Sequence, residues 1–361
     1  MRQRIGVLSG GGDCPGINAV IHAVVKRAIL KYDYEVIGIL DGFEGLVEGR
    51  FRELHYNDVS GILPLGGTIL GTSNRANPFR YPVRQKDEVT FEDRSRDVLR
   101  HFTELGLSAL IAIGGDGTFH IAAELSRLGI PVVGVPKTID NDLNATDITF
   151  GFDSAVHVVT EAIDRLHTTA QSHHRVMVIE VMGRYAGWIA LHGGIAGGGD
   201  VILIPEIPFD IEGVCEFILE RRKKGKRFSI VVVAEGARPR GGDLVVQRIV
   251  RESHDQIRLG GVSHVVGQAV EEKTGLETRV VILGHLQRGG SPTAFDRVLA
   301  TRLGAWAVDL VAQGQFGYFP AVRGQDIVPA RIEEAIACLK TVPLDSPLLD
   351  IARSMGTYLG E

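Results

Sequence analysis

Cysteine is scarce in this chain, and the three that occur stand apart: Cys14, Cys215 and Cys338 form no CxxC pair and no metal-ligand spacing. That usage excludes a disulfide scaffold and points to free thiols in a reducing cytoplasm. Apolar runs are short as well. Nowhere do about 18 apolar residues follow one another, and the opening MRQRIGVLSGGGD passes straight into a strand-like segment and a glycine loop. Neither a membrane span nor a signal peptide is expected, so the expectation is a soluble, cytoplasmic protein. Excess positive charge is missing too. The formal net charge is −5, which argues against general nucleic-acid binding. A small anionic substrate stays open, because a few arginines suffice for a local positive pocket. No tandem repeat and no low-complexity tract interrupts the sequence. What is present is an ordinary globular composition, 44% hydrophobic and 23% charged over 361 residues, enough for two or three lobes.

Short β-branched runs alternate with helical patterns. RIGVLS (4–9) reads as a buried strand, and Ile17, Val20, Ile21, Val24, Val25 and Ala28 then mark one face of a helix. Further strands are expected at ALIAI (109–113), PVVGV (131–135), RVMVIEV (175–181), VILIPE (201–206), FSIVVVAE (228–235) and TRVVILG (278–284). Strands separated by helical segments imply βαβ units, hence an α/β fold with mainly parallel sheets covered on both faces. A long helix, capped by Asp153 or Ser154, is expected to lead from one lobe into a second. The segment after about Pro320 is expected to supply a closing helix or two. The basic tract RRKKGKR (221–227) reads first as a solvated helix end, with an anionic effector site as the alternative.

Ligands of an open parallel sheet bind at the carboxyl ends of its strands. Three glycine-rich loops follow predicted strands: SGGGDCPG (9–16), GGDGT (114–118) and PKTIDND (136–142). Glycine lets backbone N–H groups approach phosphate oxygens, and a helix start adds positive potential. None of the three matches GxxxxGK[ST] or a clean GxGxxG, so no loop carries the argument alone. The carboxylates do more. Asp116 within GGDGT can hold Mg²⁺ against phosphate oxygens, and one of Asp140 and Asp142, two residues apart, can face an acceptor hydroxyl. Phosphoryl transfer needs little beyond a metal, a charge clamp and a base. Arg175, Arg184, Arg279, His285 and Arg288 are candidates for the clamp, since the guanidinium fork suits phosphate. Each arginine alone could equally be a surface ion-pair partner, and His285 a satisfied buried histidine. His173 and His174, adjacent at what reads as a strand start, would point to opposite faces, so no zinc site is expected there.

Taken in order, IGVLSGGGDCPGINAV, GGTILGTSNR, GGDGT, PKTIDND, EVMGRYAGW, VVVAEG and LGHLQRGGSP resemble the 6-phosphofructokinases over roughly residues 4–305. PKTIDND together with GHLQRGGSP is the specific part, because other kinases also use GGDGT. The resemblance implies two Rossmann-like lobes around a cleft, a donor lobe from residues 1–150 plus about 287–337 and an acceptor lobe from 151–286 plus a C-terminal helix. It implies Asp140 as the base for the C1 hydroxyl of fructose 6-phosphate, with Lys137, Thr138, Ile139 and Asp142 beside it and Asp116 holding Mg²⁺. Gly12, Arg75, Gly115, Gly117 and Thr118 would cradle the donor phosphates. Met182, Gly183 and Arg184 would line the acceptor site, Glu235 would accept sugar hydroxyls, and His285, Leu286, Gln287 and Arg288 would bind around the 6-phosphate. Arg175 and Arg279 would reach in from a neighbouring subunit, implying a homodimer or homotetramer. Where family members with effector control carry arginines, this chain has His22 and Leu65, with Lys26 nearby. A weak response to effectors at that pocket is expected.

The same resemblance divides the family by phosphoryl donor. Pyrophosphate users carry aspartate after the metal aspartate, where this chain has Gly117; they also carry lysine at the position of Lys137. The combination is that of an ATP-using group, so ATP is the expected donor and pyrophosphate the alternative. An aspartate at 117 would set a carboxylate near the α-phosphate, where like charges about 4 Å apart cost several kcal/mol at intermediate dielectric. Gly117→Asp is therefore expected to nearly abolish turnover with ATP and to harm turnover with pyrophosphate much less. Steady-state kinetics with both donors checks this, and unchanged ATP kinetics would contradict it.

Overall fold

The computed structural model describes residues 2–85, 88–249 and 257–361. Two sheets organise the chain. The larger has seven strands in the order Asp326–Arg331, Tyr318–Arg323, Val132–Pro136, Leu107–Gly114, Arg4–Ser9, Glu35–Ile39, Phe51–Leu54. Its five inner strands run parallel, and an antiparallel strand closes each edge. The smaller sheet has four strands, all parallel, in the order Thr278–Ile282, Val176–Val181, Ser229–Ala234, Val201–Leu203. The mainly parallel α/β architecture expected from the alternation of elements is the one observed. Its central strands are buried along nearly their whole length, which is why they read as continuous apolar runs rather than alternating ones.

The helix Ile17–Tyr32 packs along the helix Ala294–Ala312 and against the larger sheet, burying Val20, Val24 and Ala28 with Leu303 and Ala307. The approach is close. A Cβ on Gly304 would lie 2.8 Å from the carbonyl oxygen of Val20. Among the described residues no helix is long and apolar enough to cross a membrane.

Several local expectations are corrected. The long helix runs Phe152–His173, but neither Asp153 nor Ser154 caps it, since both lie inside its first turn. The preceding residue is Gly151, left-handed at φ 96°. Buried donors at the helix start are met from elsewhere: Asp296, fully buried, accepts the Ser154 N–H at 2.8 Å and the Ser154 hydroxyl at 2.6 Å. Asp153 instead accepts from Thr293 Oγ1 at 2.5 Å. A capping carboxylate contributed by a helix far along the chain leaves no local sequence signature. VILIPE forms a strand only over Val201–Leu203, because Glu206 turns away to accept main-chain N–H groups. The segment after Pro320 does supply the helices Ile332–Ala335 and Pro347–Ser354, but Tyr318–Arg323 and Asp326–Arg331 first form a hairpin on the edge of the larger sheet. His173 and His174 stand at a helix end, His174 in the left-handed region at φ 57°, and not at a strand start. The basic tract begins in the last turn of the helix Ile211–Lys223, where cations suit the carbonyl-rich end. Arg221 there pairs with Asp200 at 2.6 Å.

Candidate active site

The carboxyl ends of Arg4–Ser9, Leu107–Gly114 and Val132–Pro136 open directly into the three glycine-rich loops. Main-chain bonds hold the first loop in place: Gly10 N–H donates to Ile113 O at 2.9 Å and Gly11 N–H to Ser73 O at 3.1 Å. Thr118 lies buried beneath it, so close that a Cβ on Gly10 would sit 2.7 Å from Thr118 Oγ1 and one on Gly114 would collide with the same side chain. The second motif is not a free loop. Gly115 is the N-cap of the helix Asp116–Arg127, so Asp116, Gly117 and Thr118 form its first turn, where amide N–H groups lack intrahelical partners. Asp116 keeps an accessible carboxylate, 3.5 Å from His120 Nδ1. Arg75 lines an open cavity of about 380 Å³ with Gly11, Gly12 and Ser73, and its far wall carries Asp41 and Glu44, both paired with Arg50.

Lys137 ties the three loops together. Its main-chain N–H donates to Gly114 O at 2.9 Å, and its buried ammonium donates to Gly12 O. Burial pushes the Lys137 pKa down, and Arg288 adds to this. In the third loop Thr138 Oγ1 donates to Asp142 Oδ1 at 2.9 Å and accepts the Asp140 N–H at 3.1 Å. Asn141, left-handed at φ 52°, accepts at Oδ1 from Thr149 N–H at 3.1 Å. These bonds orient the loop but leave Asp140 Oδ1 buried and without a hydrogen-bond partner. Burial, and next the charge of Asp142, push Asp140 up to about 7. Burial also raises Asp142.

The smaller sheet brings up the opposite wall. Met182, Gly183 and Arg184 follow the strand Val176–Val181, and Glu235 follows Ser229–Ala234. His285, Leu286, Gln287 and Arg288 form a single 3₁₀ segment, Gly284–Arg288, after Thr278–Ile282. Gln287 is fully buried and braces two of these turns: its Oε1 accepts the Met182 N–H at 3.2 Å and its amide donates to Gly284 O at 3.0 Å. His285 and Leu286 are exposed, which removes the reading of His285 as a buried structural histidine. Arg288 crosses to the first loop, donating to Asp13 O at 3.2 Å. Burial, and then the Asp140 charge, push Glu235 up to about 7. Arg184 and Arg288 pull both Asp140 and Glu235 back down. Mutual influence of this kind means that residues from both sheets share one cleft.

Three predicted site residues sit differently. The Ile139 side chain is packed in the core. Arg175 and Arg279 lie at the amino-terminal ends of their strands, at the far end of the smaller sheet from Arg184 and Glu235, and both pair with Glu277, at 2.7 and 2.5 Å. This chain alone does not bring them to the cleft. Two residues with no motif around them brace the motif segments: Lys340, whose ammonium holds Asn141 at 3.0 Å, and Glu206, which accepts the Gly187 N–H at 3.0 Å. No local pattern marks either, because each acts from a distant part of the chain.

A carboxyl raised from 3.8 to about 7 favours the folded state fully only below the lower value. That contribution is lost as pH rises through about 7. Asp140→Asn removes the buried charge, so its unfolding midpoint should exceed that of the parent chain by more at pH ~8 than at pH ~5. Thermal unfolding at both values checks this, and a gain that does not grow with pH would contradict it.

Comparison with known proteins agrees with this geometry. A family model described as Phosphofructokinase matches residues 4–311. An ATP-dependent 6-phosphofructokinase of Chloroflexus aurantiacus is 56% identical over all of this chain and 98% of its own. A pyrophosphate–fructose 6-phosphate 1-phosphotransferase of Amycolatopsis methanolica is 55% identical over 94% of this chain and 96% of its own. The solved phosphofructokinase of Saccharomyces cerevisiae superposes with a TM-score of 0.79 at 32% identity, covering 93% of this chain. The chain spans only 45% of that yeast chain. With its motifs gathered where two mainly parallel sheets meet, the chain belongs to the phosphofructokinase family.

Proposed function

We propose that the protein transfers the γ-phosphoryl group of MgATP to the C1 hydroxyl of fructose 6-phosphate, giving fructose 1,6-bisphosphate and ADP. One observation carries the reading. Asp140 presents a buried carboxylate oxygen with no partner, flanked by cationic side chains, where loops from both sheets meet. A general base is most useful with a pKa near the working pH, and Asp140 at about 7 has one.

In this reading Asp140 takes the C1 hydroxyl proton as the C1 oxygen attacks the γ-phosphorus, and the bond to the ADP oxygen breaks in line. Thr138 orients Asp140 through its N–H. Gly12, Arg75, Gly115, Gly117 and Thr118 bind the donor phosphates. Arg184 and Arg288 face the charge that develops on the transferred group, while Met182, Gly183 and Glu235 contact the sugar. His285 and Arg288 hold the 6-phosphate, on a segment that also carries Leu286 and Gln287. Mg²⁺ would neutralise charge on the donor phosphates. Asp116 suits it, as an accessible carboxylate on the first turn of a helix beside the glycine loops, and Mg²⁺ prefers one or two carboxylates completed by phosphate and water. The donor lobe is assigned to residues 1–150 plus about 287–337, and the acceptor lobe to 151–286 plus the C-terminal helix.

Pyrophosphate is the second reading. Lys137 and the Amycolatopsis relative favour it, whereas Gly117 leaves room for an α-phosphate and favours ATP. An assay with fructose 6-phosphate and each donor decides: kcat/KM should be higher for ATP, and a higher value for pyrophosphate would overturn the choice.

Arg175 and Arg279 are assigned to the acceptor site of a neighbouring subunit in a homo-oligomer. Their position at the outer end of the smaller sheet supports this, as does the buried Nε of Arg175 left without a partner. Mixtures of inactive Asp140→Asn and Arg279→Ala subunits, dissociated and reassembled, should then regain partial activity, because some sites carry neither defect. No recovery despite proven subunit exchange would mean that each site is built within one chain.

A further inference from the structure

Residues 339–342, beyond the edge hairpin, take no part in the reaction as described, yet they are pinned between two motifs that do. On one side Leu339 forms an antiparallel bridge with Leu143, and Lys340 N–H donates to Asp142 O at 2.8 Å. On the other, the Trp188 indole N–H donates to Lys340 O at 2.8 Å. Val342 N–H donates to Glu206 Oε1 at 2.8 Å, and the same carboxylate accepts the Gly187 N–H. One short stretch of chain thus joins TIDND to GRYAGW.

The ammonium of Lys340 lies at the centre of this tie. It donates to Asn141 Oδ1 at 3.0 Å, Thr146 O at 2.9 Å and Asp147 O at 2.9 Å, so all three donors are used. Asn141 is the left-handed residue between Asp140 and Asp142, and its Oδ1 is also held by Thr149. Fixing Asn141 from two sides fixes the direction in which the neighbouring aspartates leave the loop. Charge acts along the same path. Lys340 faces the carboxylates of Asp142 and Asp147, with Arg323 as the nearby cation. Asp140 in turn faces Asp142, Arg288, Lys137, Arg184 and Glu235.

We propose that Lys340 is a positioning residue for the phosphoryl transfer: through Asn141 and Asp142 it holds Asp140 at the attack geometry. This rests on the reading of Asp140 as the base. It goes beyond that reading by giving the segment after the edge hairpin a part in the chemistry, which no glycine or carboxylate motif there announces.

Three variants test it with fructose 6-phosphate and MgATP. Lys340→Met removes charge and donors, Lys340→Gln keeps donors without charge, and Lys340→Arg keeps both. Displacing a catalytic group by about 1 Å costs on the order of 10²-fold in rate, so Lys340→Met should lose kcat on that scale. The KM for MgATP should stay unchanged, since none of the donor loops touches Lys340. The acidic limb of the pH–rate profile belongs to the Asp140–Asp142 pair and should move to higher pH in Lys340→Met and Lys340→Gln, because a nearby cation is gone. Lys340→Arg should restore the limb and most of the turnover. Two results would overturn the proposal. One is kcat in Lys340→Met and Lys340→Gln within about twofold of the parent. The other is a fall in kcat that tracks loss of thermal stability while the acidic limb stays in place. Parent turnover in the same assay reports on the activity itself, and the variant-to-parent ratio reports on Lys340.

Discussion

The cleft depends on keeping several carboxyl groups out of water and close together. Asp140, Asp142 and Glu235 are all pushed up by burial, and Asp140 and Glu235 repel one another. A charge moved into such a place is tolerated only when opposite charges and hydrogen bonds stand near it. The fold supplies them from four separate stretches: Lys137 from the larger sheet, Arg184 and Arg288 from the smaller, and Lys340 from the C-terminal segment. Arg288, Lys137 and Arg184 each draw the Asp140 carboxyl back down, but burial outweighs them. The result is a carboxyl pushed up to about 7, with one buried oxygen that no hydrogen bond holds. The same arrangement is a standing cost to the stability of the folded chain at neutral and alkaline pH, as expected where function requires a destabilised site.

Parallel sheets make the arrangement economical. Every strand of a βαβ unit ends on the same side, so loops far apart in sequence arrive together. Lys137 exploits this most fully, joining Gly12, Gly114 and the TIDND loop from one buried position. Between the sheets, the helix Phe152–His173 is anchored at its start by Asp296, which reaches back from the helix Ala294–Ala312. The start of that helix and the segment that follows Arg288 are therefore braced against each other, and Arg288 itself leans on the first glycine loop through Asp13 O.

Much of this was legible in the sequence, for identifiable reasons. Buried parallel strands are continuous apolar runs, so Arg4–Ser9, Leu107–Gly114 and Ser229–Ala234 stood out. Glycine-rich turns beside aspartate marked Asp116 and Asp140, because phosphate and metal chemistry needs those residue types next to one another. The misses are equally physical. The Asp296 cap, the Glu206 bracket and the Lys340 tie each join residues from distant parts of the chain, and no local spacing encodes such contacts. The hairpin at Tyr318–Arg331 was overlooked because it is an edge structure whose second strand is half exposed and proline-bearing, which weakens its strand pattern. Arg175 and Arg279 stand out in the sequence only as arginines beside strands, and within this chain both pair with Glu277. Their side of the smaller sheet is visible only in three dimensions.

The central claim is that Asp140 is the base, held by its loop without being neutralised by it. Turnover of purified Asp140→Asn with saturating fructose 6-phosphate and MgATP tests it most directly, with fructose 6-phosphate affinity measured by calorimetry on the same sample. General-base assistance is worth about 10²-fold or more, so kcat should fall at least that far while binding stays within a few-fold of the parent. Near-normal turnover in the folded variant would contradict the account.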